Sequence, residues 1–316
     1  MPKKTLLISA QSFLKSKPLM DLVRSSAQEF GIEIKMTPVA IDGRLDEALL
    51  LELLEGCSYW IVGREPVNSH VLSGAKDLEI ISKYGVGLDN VDIQACKANG
   101  VKLAHRPGVN AQAVAEHAIG LMLGLARKIC EGSRHLLEGR WIKNGGVSLY
   151  GKTLGIIGYG HVGSALAPLA RSFGCQILAH DILDKSDELA SVGGRSVGLK
   201  ELITLSDFIS VHVPLTQKTR KLIGRTEFEL MKPTSFFINT SRGEVVDESA
   251  LKWALKSGEI GGAALDVFSV EPFSDDELLS LANFIGTPHT AGNSKEAVWA
   301  MGLAAVEELF GLINLP

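Results

Sequence analysis

The sequence lacks the features that mark secreted, zinc-binding and membrane-spanning proteins. Its four cysteines lie far apart, with no CxxC pair and no Cys/His spacing typical of metal ligands. Neither a disulfide framework nor a metal site is therefore expected, and a reducing, cytoplasmic compartment fits. The N-terminal stretch has only a strand-length apolar run, and the longest later run, near residues 118–126, ends at Arg127 and Lys128. No signal peptide and no membrane span are expected.

A strong charge of one sign is missing as well. The 316 residues carry a formal net charge of −4, which argues against bulk attraction to nucleic acid, although local cations can still hold an anionic substrate. With 46% hydrophobic residues the chain can bury large cores, and its length predicts two domains.

The most informative stretch runs from Thr153 to Asp181. A buried strand is predicted over Leu154–Gly158, and a helix is predicted to open at about Ser164. Between them lies a GxGxxG motif, formed by Gly158, Tyr159, Gly160, His161, Val162 and Gly163. The first glycine permits a tight turn, the second lets backbone approach a pyrophosphate, and the third lets helix pack closely on strand. The motif in this context predicts a dinucleotide site.

Asp181 ends the next predicted strand, 18 residues after Gly163. That offset suits a carboxylate that accepts hydrogen bonds from the ribose hydroxyls. Because Asp181 would repel a 2′-phosphate, NAD is the expected cofactor rather than NADP. Lys185 is the nearest following cation and would weaken this preference modestly.

Strand-like and helical runs alternate along the chain, which indicates βαβ units, parallel sheets and an α/β fold. The strands predicted before the glycine motif are Thr5–Ala10, Ile32–Val39, Tyr59–Gly63, Glu79–Tyr84 and Val101–His105. Those predicted after it are Gln176–His180, Phe208–Val213, Ser235–Asn239, Gly262–Asp266 and Asn283–Gly286. One predicted helix lies around Leu45–Leu54, and a last amphipathic helix, from about Lys295 to Leu312, is expected to dock on the first half.

Polar groups gather where the later strands end. Pro214 and Thr216 end one strand, Thr240, Ser241 and Arg242 end the next, and Asp266 ends the third. Ligands of doubly wound sheets bind at the carboxyl ends of the strands, so Val213, Pro214, Thr240 and Asp266 are candidate cofactor contacts.

The first half has its own glycine-rich turn, from Lys83 to Asn90. Gly85 and Gly87 at a strand end allow backbone N–H groups to converge on a small anion; an ordinary turn is the alternative.

A helix predicted over Asn110–Glu138 is apolar on nearly every face and needs cover all round. Burial between the domains or against another subunit would provide that cover. Glu116 and His117 within it are expected to be structural groups.

Three ionisable residues beyond strand ends, Arg242, Glu271 and His289, suit one reaction. Oxidation of a secondary alcohol needs a base for the hydroxyl proton, and an imidazole serves in both directions. Glu271 would orient the ring and favour the imidazolium. Arg242 presents a planar fork that matches a carboxylate, which points to a 2-hydroxy acid. Each of the three also has a structural reading, as a surface ion pair, a loop acid and a turn residue.

These residues resemble the D-isomer-specific 2-hydroxyacid dehydrogenase family, in particular its phosphoglycerate dehydrogenase-like branch. The resemblance covers nearly the whole chain through YGVGLDNVD, NAQAVAEHAIGLML, GKTLGIIGYGHVG, VHVPLTQKTRKLI, FINTSRGEVVDE, GGAALDVFSVEP and TPHTAG. It implies two Rossmann-like doubly wound domains with the active site in the cleft between them. The substrate domain would comprise residues 1–104 and 290–316, and the NAD domain residues 105–289.

The resemblance also implies roles for single residues. Arg242, Glu271 and His289 would be the catalytic trio, and Asp266 would lie near the nicotinamide amide. The Val86 and Gly87 amides would hold the substrate carboxylate. Arg64 matches a substrate-contact position of phosphoglycerate-type members, but Glu65 and Pro66 replace the small and hydroxyl residues common beside it.

The substrate stays open between two candidates. D-3-phosphoglycerate is the first expectation, and glyoxylate or hydroxypyruvate reduction is the alternative. A different class, an NAD-sensing corepressor-like binding protein, is less expected because the long C-terminal tail of such proteins is missing, and a Rossmann methyltransferase is disfavoured by the Glu271–His289 combination. A homodimer is expected from the all-round apolar helix and from the resemblance.

Overall fold

The computed structural model describes residues 3–37 and 46–314 of the chain. Its residues form two compact units, Met1–Asn110 with Lys295–Pro316, and Ala111–Ser294. The chain thus enters the second unit at residue 111 and leaves it at 294, whereas the sequence placed these changes at 105 and 289. The predicted strand Ile32–Val39 and the predicted helix Leu45–Leu54 each extend into residues 38–45, which lie outside the described residues.

Strands and helices alternate as the sequence predicts. The strands are β1 Thr5–Ile8, β2 Glu33–Met36, β3 Tyr59–Val62, β4 Ile80–Lys83, β5 Lys102–Ala104, β6 Thr153–Ile157, β7 Gln176–His180, β8 Gly194–Ser196, β9 Phe208–Val211, β10 Phe236–Asn239, β11 Gly262–Leu265 and β12 Phe284–Gly286. The helices are α1 Gln11–Leu14, α2 Lys17–Glu29, α3 Glu47–Leu54, α4 Ser69–Gly74, α5 Ile93–Ala98, α6 Ala111–Ala126, α7 Ile129–Leu137, α8 His161–Ser172, α9 Ser186–Ser191, α10 Leu199–Leu205, α11 Arg225–Leu230, α12 Glu248–Ser257, α13 Asp276–Ser280 and α14 Lys295–Ile313. The short elements β8, α5 and α9 were not predicted, because so few residues carry no readable period.

The first unit contains a five-stranded parallel sheet in the order β2-β1-β3-β4-β5. Successive residues of its central strands enter different cores: Tyr59 and Ile61 pack in one cluster, Trp60 and Val62 in the other. Side chains alternate between the faces of a strand, so both faces of this sheet are covered. This burial explains why β1 and β3 read as continuous apolar runs.

Helix α14 belongs to the first unit, as predicted. Val306, Leu309 and Phe310 join the same core as β1 and β3, and Ser82 donates a hydrogen bond to the Ala305 carbonyl at 2.7 Å. Gly302 allows the close packing, because a Cβ there would lie 2.2 Å from Leu19 Cδ1.

The second unit contains a seven-stranded parallel sheet in the order β12-β11-β10-β9-β6-β7-β8. Strand β6 lies between β7, which follows it in sequence, and β9, so the strand order reverses beside β6. Ile156 packs in the core on one face and Ile157 in the core on the other. Both units are therefore α/β layers around parallel sheets, which confirms the predicted fold class. The crevice at such a reversal of strand order is where open α/β sheets bind ligands.

The single helix predicted over Asn110–Glu138 is two helices. The chain breaks at Lys128, which adopts a left-handed backbone with φ 54°, between α6 and α7. Most residues of helix α6 are buried, and the helix packs on α8, β10 and β11 of the second unit, whereas Gln112, Glu116 and Gly120 are exposed. None of the residues of α7 is buried within the described chain. The apolar surface left for other molecules therefore lies on α7 rather than on α6.

Candidate active site

The glycine motif forms the turn from β6 into α8, and each of its three positions suits glycine for a different structural reason. Gly158 has φ 93°, and a Cβ there would lie 2.9 Å from the backbone of His212. A Cβ at 163 would lie 2.3 Å from the Gly158 carbonyl oxygen, so the helix can approach the strand only with glycine there. At Gly160 a Cβ would meet nothing within 4 Å, which leaves open space over the turn.

Helix α8 begins at His161, three residues before the predicted start at Ser164. Gly160 is its N-cap and has no side chain to accept a hydrogen bond from the first turn. The N–H groups of His161, Val162 and Gly163 therefore face this open space together with the positive end of the helix dipole. This is the geometry that suits a pyrophosphate.

Asp181 follows β7 beside the motif, as predicted. Its Oδ2 accepts a hydrogen bond from the Tyr159 amide at 2.7 Å and its Oδ1 one from the Leu183 amide at 2.9 Å. Each carboxylate oxygen can accept a second hydrogen bond, so capacity for ribose hydroxyls remains. Lys185 donates to Glu188 at 2.7 Å, a bond that raises the pKa of Lys185. Glu188 thus neutralises the cation that would weaken the preference for NAD.

The loop that carries Arg242 is shaped by Asn239, a fully buried residue that sequence reasoning did not select. The Asn239 amide donates to the Arg242 carbonyl at 2.8 Å, and its oxygen accepts from both the amide and the hydroxyl of Ser241, at 2.9 and 2.7 Å. Its position as the last residue of a predicted strand, directly before Thr240, was the feature of the sequence that could have identified it. Asn239 therefore fixes the backbone from which Arg242 projects.

Thr240 has a buried hydroxyl that lacks a partner. Its side chain is only 8% exposed, and its Oγ1 makes no hydrogen bond within the described part of the chain. A buried hydroxyl without a partner is costly unless a bound group satisfies it. The open space at Gly160 and the free hydroxyl of Thr240 both fit a polar cofactor at the carboxyl ends of β6 and β10.

The loop after β11 lies against the Arg242 loop. A Cβ at residue 243 would lie 2.0 Å from the Phe268 carbonyl carbon and 2.3 Å from the Ser269 nitrogen, so Gly243 brings the two backbones into contact. Glu248 at the start of α12 accepts from the Ser269 amide at 2.6 Å and from the Ser269 hydroxyl at 2.9 Å. The segment leading to Glu271 is thus held from α12.

Glu271 and His289 form a hydrogen-bonded pair. His289 Nδ1 lies 2.9 and 3.0 Å from the two carboxylate oxygens of Glu271, and Glu271 Oε1 also accepts from the Phe268 amide at 3.2 Å. Because the carboxylate only accepts, Nδ1 carries the proton and Nε2 is left as the working nitrogen. This arrangement is the one predicted for general acid–base chemistry.

His289 has a left-handed backbone, with φ 54°. Such a conformation costs a non-glycine residue about 1–2 kcal/mol, so its surroundings must hold it. The buried carboxylate of Asp266 accepts hydrogen bonds from the Thr287 hydroxyl at 2.6 Å and from the Thr290 and Ala291 amides at 2.8 and 2.9 Å. His117, expected to be structural, contacts the same Thr287 hydroxyl at 3.0 Å. Asp266 therefore anchors the loop of His289 on both sides.

His212 is a second residue that the sequence analysis missed. It follows β9 between Val211 and Val213, and its Nε2 lies 2.8 Å from the Ser210 hydroxyl. Burial lowers its pKa to about 3, so the ring is neutral at ordinary pH. The sequence did offer a signal, because His212 is a polar residue within a predicted apolar strand. It also directly precedes the predicted cofactor contacts Val213, which is half-buried, and Pro214, which is exposed.

In the first unit, Arg64 is exposed and the residue after it turns inward. Glu65 is 7% exposed and accepts a hydrogen bond from the Gly63 amide at 2.8 Å. Lys83, equally buried, donates to the Gly63 carbonyl and to Asn90 Oδ1, the latter at 2.9 Å. Asn90 in turn donates to the Glu65 carbonyl at 2.6 Å. Lys83 therefore braces the loop that presents Arg64.

Val86 and Gly87 lie in the turn that follows β4, where Gly85 has φ 116°. Both residues are half-buried. Among residues 3–37 and 46–314, no cluster of His, Cys, Asp and Glu has the arrangement of a metal site. No helix in the same residues is long and apolar enough to cross a membrane.

Comparison with known proteins identifies one family. The family model described as "D-isomer specific 2-hydroxyacid dehydrogenase, NAD binding domain" matches residues 119–291. A D-3-phosphoglycerate dehydrogenase of Archaeoglobus fulgidus is 36% identical over 96% of this chain, but the match spans only 59% of that relative. A hydroxypyruvate reductase of Thermotoga maritima is 42% identical over 77% of this chain and 80% of its own length. The crystal structure of a glyoxylate reductase from Paecilomyes thermophila superposes with a TM-score of 0.88 at 27% identity, covering 99% of this chain and 96% of that one.

Proposed function

This chain belongs to the D-isomer specific 2-hydroxyacid dehydrogenase family, and we propose that it interconverts a D-2-hydroxy acid and its 2-oxo acid with NAD. The observation that carries the proposal is the Glu271–His289 pair, which leaves Nε2 of His289 for proton transfer. When bound, the nicotinamide accepts or donates the hydride.

The residues of the second unit fit NAD. The amides of Gly160, His161, Val162 and Gly163 would bind the pyrophosphate, since the turn at Gly158 and the N-terminus of α8 provide open space and donors. Asp181 would accept from the ribose hydroxyls. Val213, Pro214, Thr240 and Asp266 would line the nicotinamide side, where the Thr240 hydroxyl needs a partner.

His289 moves the proton in both directions. In the oxidation, neutral Nε2 takes the proton of the substrate hydroxyl; in the reduction, the imidazolium returns a proton to the new oxygen. Glu271 holds Nδ1 and stabilises the imidazolium with its negative charge. Arg242 binds the substrate carboxylate or 2-oxo group as a fork of donors, on a loop that Asn239 keeps in place.

For the substrate we propose D-3-phosphoglycerate first, with Arg64 binding the phosphate and the Val86 and Gly87 amides binding the carboxylate. Exposure of Arg64 and the 36% identity to a D-3-phosphoglycerate dehydrogenase support it. A specific observation favours the second candidate, glyoxylate or hydroxypyruvate. Lys83, the other cation of this region, is engaged by Gly63 and Asn90 and so is withdrawn from a phosphate.

We also propose a homodimer in the cytoplasm. Ile129, Leu136 and Leu137 on α7 and Trp141 beyond it are large apolar side chains that are exposed on the single chain, Leu137 by 88%. A second copy would cover them. Four cysteines are free, and a reducing compartment preserves them in that state.

A panel of substrates tests the reaction and separates the candidates. Purified protein is assayed with NADH against glyoxylate, hydroxypyruvate and pyruvate, and with NAD against D-3-phosphoglycerate and D-lactate, with the L-isomers as controls. Turnover of a D-acid and not of its L-isomer is expected. A protein that binds NADH but turns over no member of the panel would contradict the proposed reaction and favour the NAD-sensing alternative.

A further inference from the structure

The turn from Tyr84 to Asn90 is held at both of its ends. Before it, Lys83 donates to the Gly63 carbonyl; after it, Asn90 reaches the same carbonyl with its amide at 3.2 Å. The Tyr84 amide also donates to the Val62 carbonyl at 2.9 Å. The flanks of the turn are thereby fixed, but these bonds leave the orientation of the peptide groups in its middle undetermined.

A histidine from the neighbouring strand reaches that middle. His105 directly follows β5, whose Ala104 pairs with Ser82 of β4. Its Nε2 lies 2.9 Å from the carbonyl oxygen of Val86. The next residue, Arg106, is anchored to α14 through Glu307 and Glu308, each at 2.7 Å. His105 is half-buried. The ion pairs of Arg106 fix the backbone directly after His105.

This contact determines which ring nitrogen of His105 carries a proton and how the peptide group between residues 86 and 87 is oriented. A carbonyl oxygen only accepts, so Nε2 of His105 carries a proton and donates it. The carbonyl of Val86 and the N–H of Gly87 belong to one peptide bond, and in a trans peptide they point in opposite directions. A ring that holds the Val86 oxygen on one side therefore directs the Gly87 N–H to the other side.

The amides of this turn are available to a ligand. In the described part of the chain, neither the Val86 nor the Gly87 N–H donates a hydrogen bond to another protein group. Both residues are half-buried, and an N–H left without a partner in such a place is costly unless water or a ligand satisfies it. Gly85, with φ 116°, gives the backbone the bend that exposes these two groups.

We infer that His105 is a positioning residue for substrate binding: by holding the Val86 carbonyl, it aims the Gly87 N–H at the substrate carboxylate. The inference rests on the proposed function, in which the Val86 and Gly87 amides bind that carboxylate. His105 touches neither substrate nor cofactor and acts only through the peptide group between residues 86 and 87. A purely structural role would instead lower stability without a selective effect on the carboxylate.

The test compares His105→Leu, which removes the donor, with His105→Gln, whose amide can donate to the same carbonyl. His70→Leu, on the exposed surface of α4 in the same unit, is the matched control. For each protein, thermal melting, the Kd of NADH by fluorescence, and kcat and KM for glyoxylate are measured. Binding of oxalate, a dicarboxylate that needs no turnover, is measured by calorimetry on NADH-loaded protein.

The Leu variant is expected to raise KM and the oxalate Kd by about tenfold or more, because a hydrogen bond to a charged group is lost or misdirected. The Kd of NADH and kcat should stay within about twofold, the Gln variant should recover most of the affinity, and the His70 variant should match the wild type. Unchanged KM and oxalate affinity in a folded Leu variant would overturn the inference about His105 and leave the proposed function standing. Wild-type protein that does not bind oxalate and turns over no member of the substrate panel, D-3-phosphoglycerate included, would overturn the proposed function, and the inference with it.

Discussion

Both carboxylate oxygens of Glu271 lie within 3.0 Å of Nδ1 of His289, so a single residue sets the tautomer, the orientation and the counter-charge of the ring. His289 itself has a left-handed backbone that the Asp266 carboxylate holds through the two following amides. The position of Nε2 of His289 is therefore fixed both by the hydrogen bond between the ring and Glu271 and by the conformation of the loop.

Replacement of the ring tests this pair first. His289→Ala should lower kcat by ~10²–10⁴-fold, the usual contribution of general acid–base catalysis, while the Kd of NADH stays near the wild-type value. Near-wild-type turnover in this variant would rule out the mechanism.

Glu271→Gln should lower kcat by about tenfold or more, because the imidazolium that forms during the reaction loses its negative partner while the hydrogen bond to Nδ1 can be kept. Glu277→Gln serves as the control, since Glu277 pairs with Lys256 and Lys252 on the surface of α12. A kcat in the Glu271 variant equal to that of the wild type would contradict the proposed role of the carboxylate.

Cofactor preference should follow Asp181. Wild-type protein is expected to prefer NADH, and Asp181→Asn should raise kcat/KM for NADPH relative to NADH by about tenfold or more, because a charge that repels the 2′-phosphate is removed. Asp184→Asn, a carboxylate in the same loop that accepts from the Ser186 amide, is the matched control. An equal preference in the wild type would reject the assignment of Asp181 to the ribose.

Stability should depend on pH through His212. Its pKa is lowered to about 3 by burial, whereas in the unfolded chain it is about 6.5, so between these values the unfolded state binds more protons. The free energy of unfolding should therefore fall as pH drops from about 6.5 to about 4, with a contribution from this residue of up to roughly 1.4 kcal/mol per pH unit.

Urea denaturation of wild type, His212→Gln and the control His70→Gln over this range isolates the contribution. The difference between wild type and the His212 variant should shrink as pH falls, since only the wild type loses stability by protonation of that ring in the unfolded state. A difference that does not change with pH would show that His212 accepts a proton in the folded protein.

Arg64 should separate the two substrate candidates. If D-3-phosphoglycerate is the substrate, Arg64→Ala should raise its KM by roughly 10- to 150-fold, because a charge-assisted hydrogen bond to the phosphate is lost. The KM for glyoxylate, which has no phosphate, should change far less. Replacement of the exposed Lys97 of α5 by Ala should change neither KM. An equal loss on both substrates would place the guanidinium on the shared carboxylate or in the fold.

The oligomeric state should depend on α7. Light scattering is expected to give about twice the 33.9 kDa chain mass. Replacing Leu137 and Trp141 by Glu should give a monomer, because two charges would enter the apolar contact, whereas Leu205→Glu at another exposed position should stay dimeric. A wild-type monomer at micromolar concentration would refute the dimer.

The sequence by itself determined the parts of this protein that depend on neighbours in the chain. Apart from β8, the strands of both sheets could be located, most of them because continuous apolar runs mark strands buried on two faces. Gly158, Gly160 and Gly163 could be assigned because their spacing is set by one turn, and Asp181 because it ends the adjacent strand. Arg242, Glu271 and His289 stood out as ionisable residues on loops beyond strand ends.

Only the tertiary structure decided what depends on residues distant in the sequence. The cover of α6 comes from packing on β10 and β11, and the left-handed backbone of Lys128 leaves no mark in the apolar pattern, so periodicity alone predicted one long helix. Lys83 stabilises the loop that carries Arg64 because it donates hydrogen bonds to Gly63 and Asn90. The residues next to Lys83 in the sequence do not reveal these contacts. His105 meets Val86 because β4 and β5 pair side by side, and hydrogen bonds across such a pairing depend on register, which a single sequence leaves open.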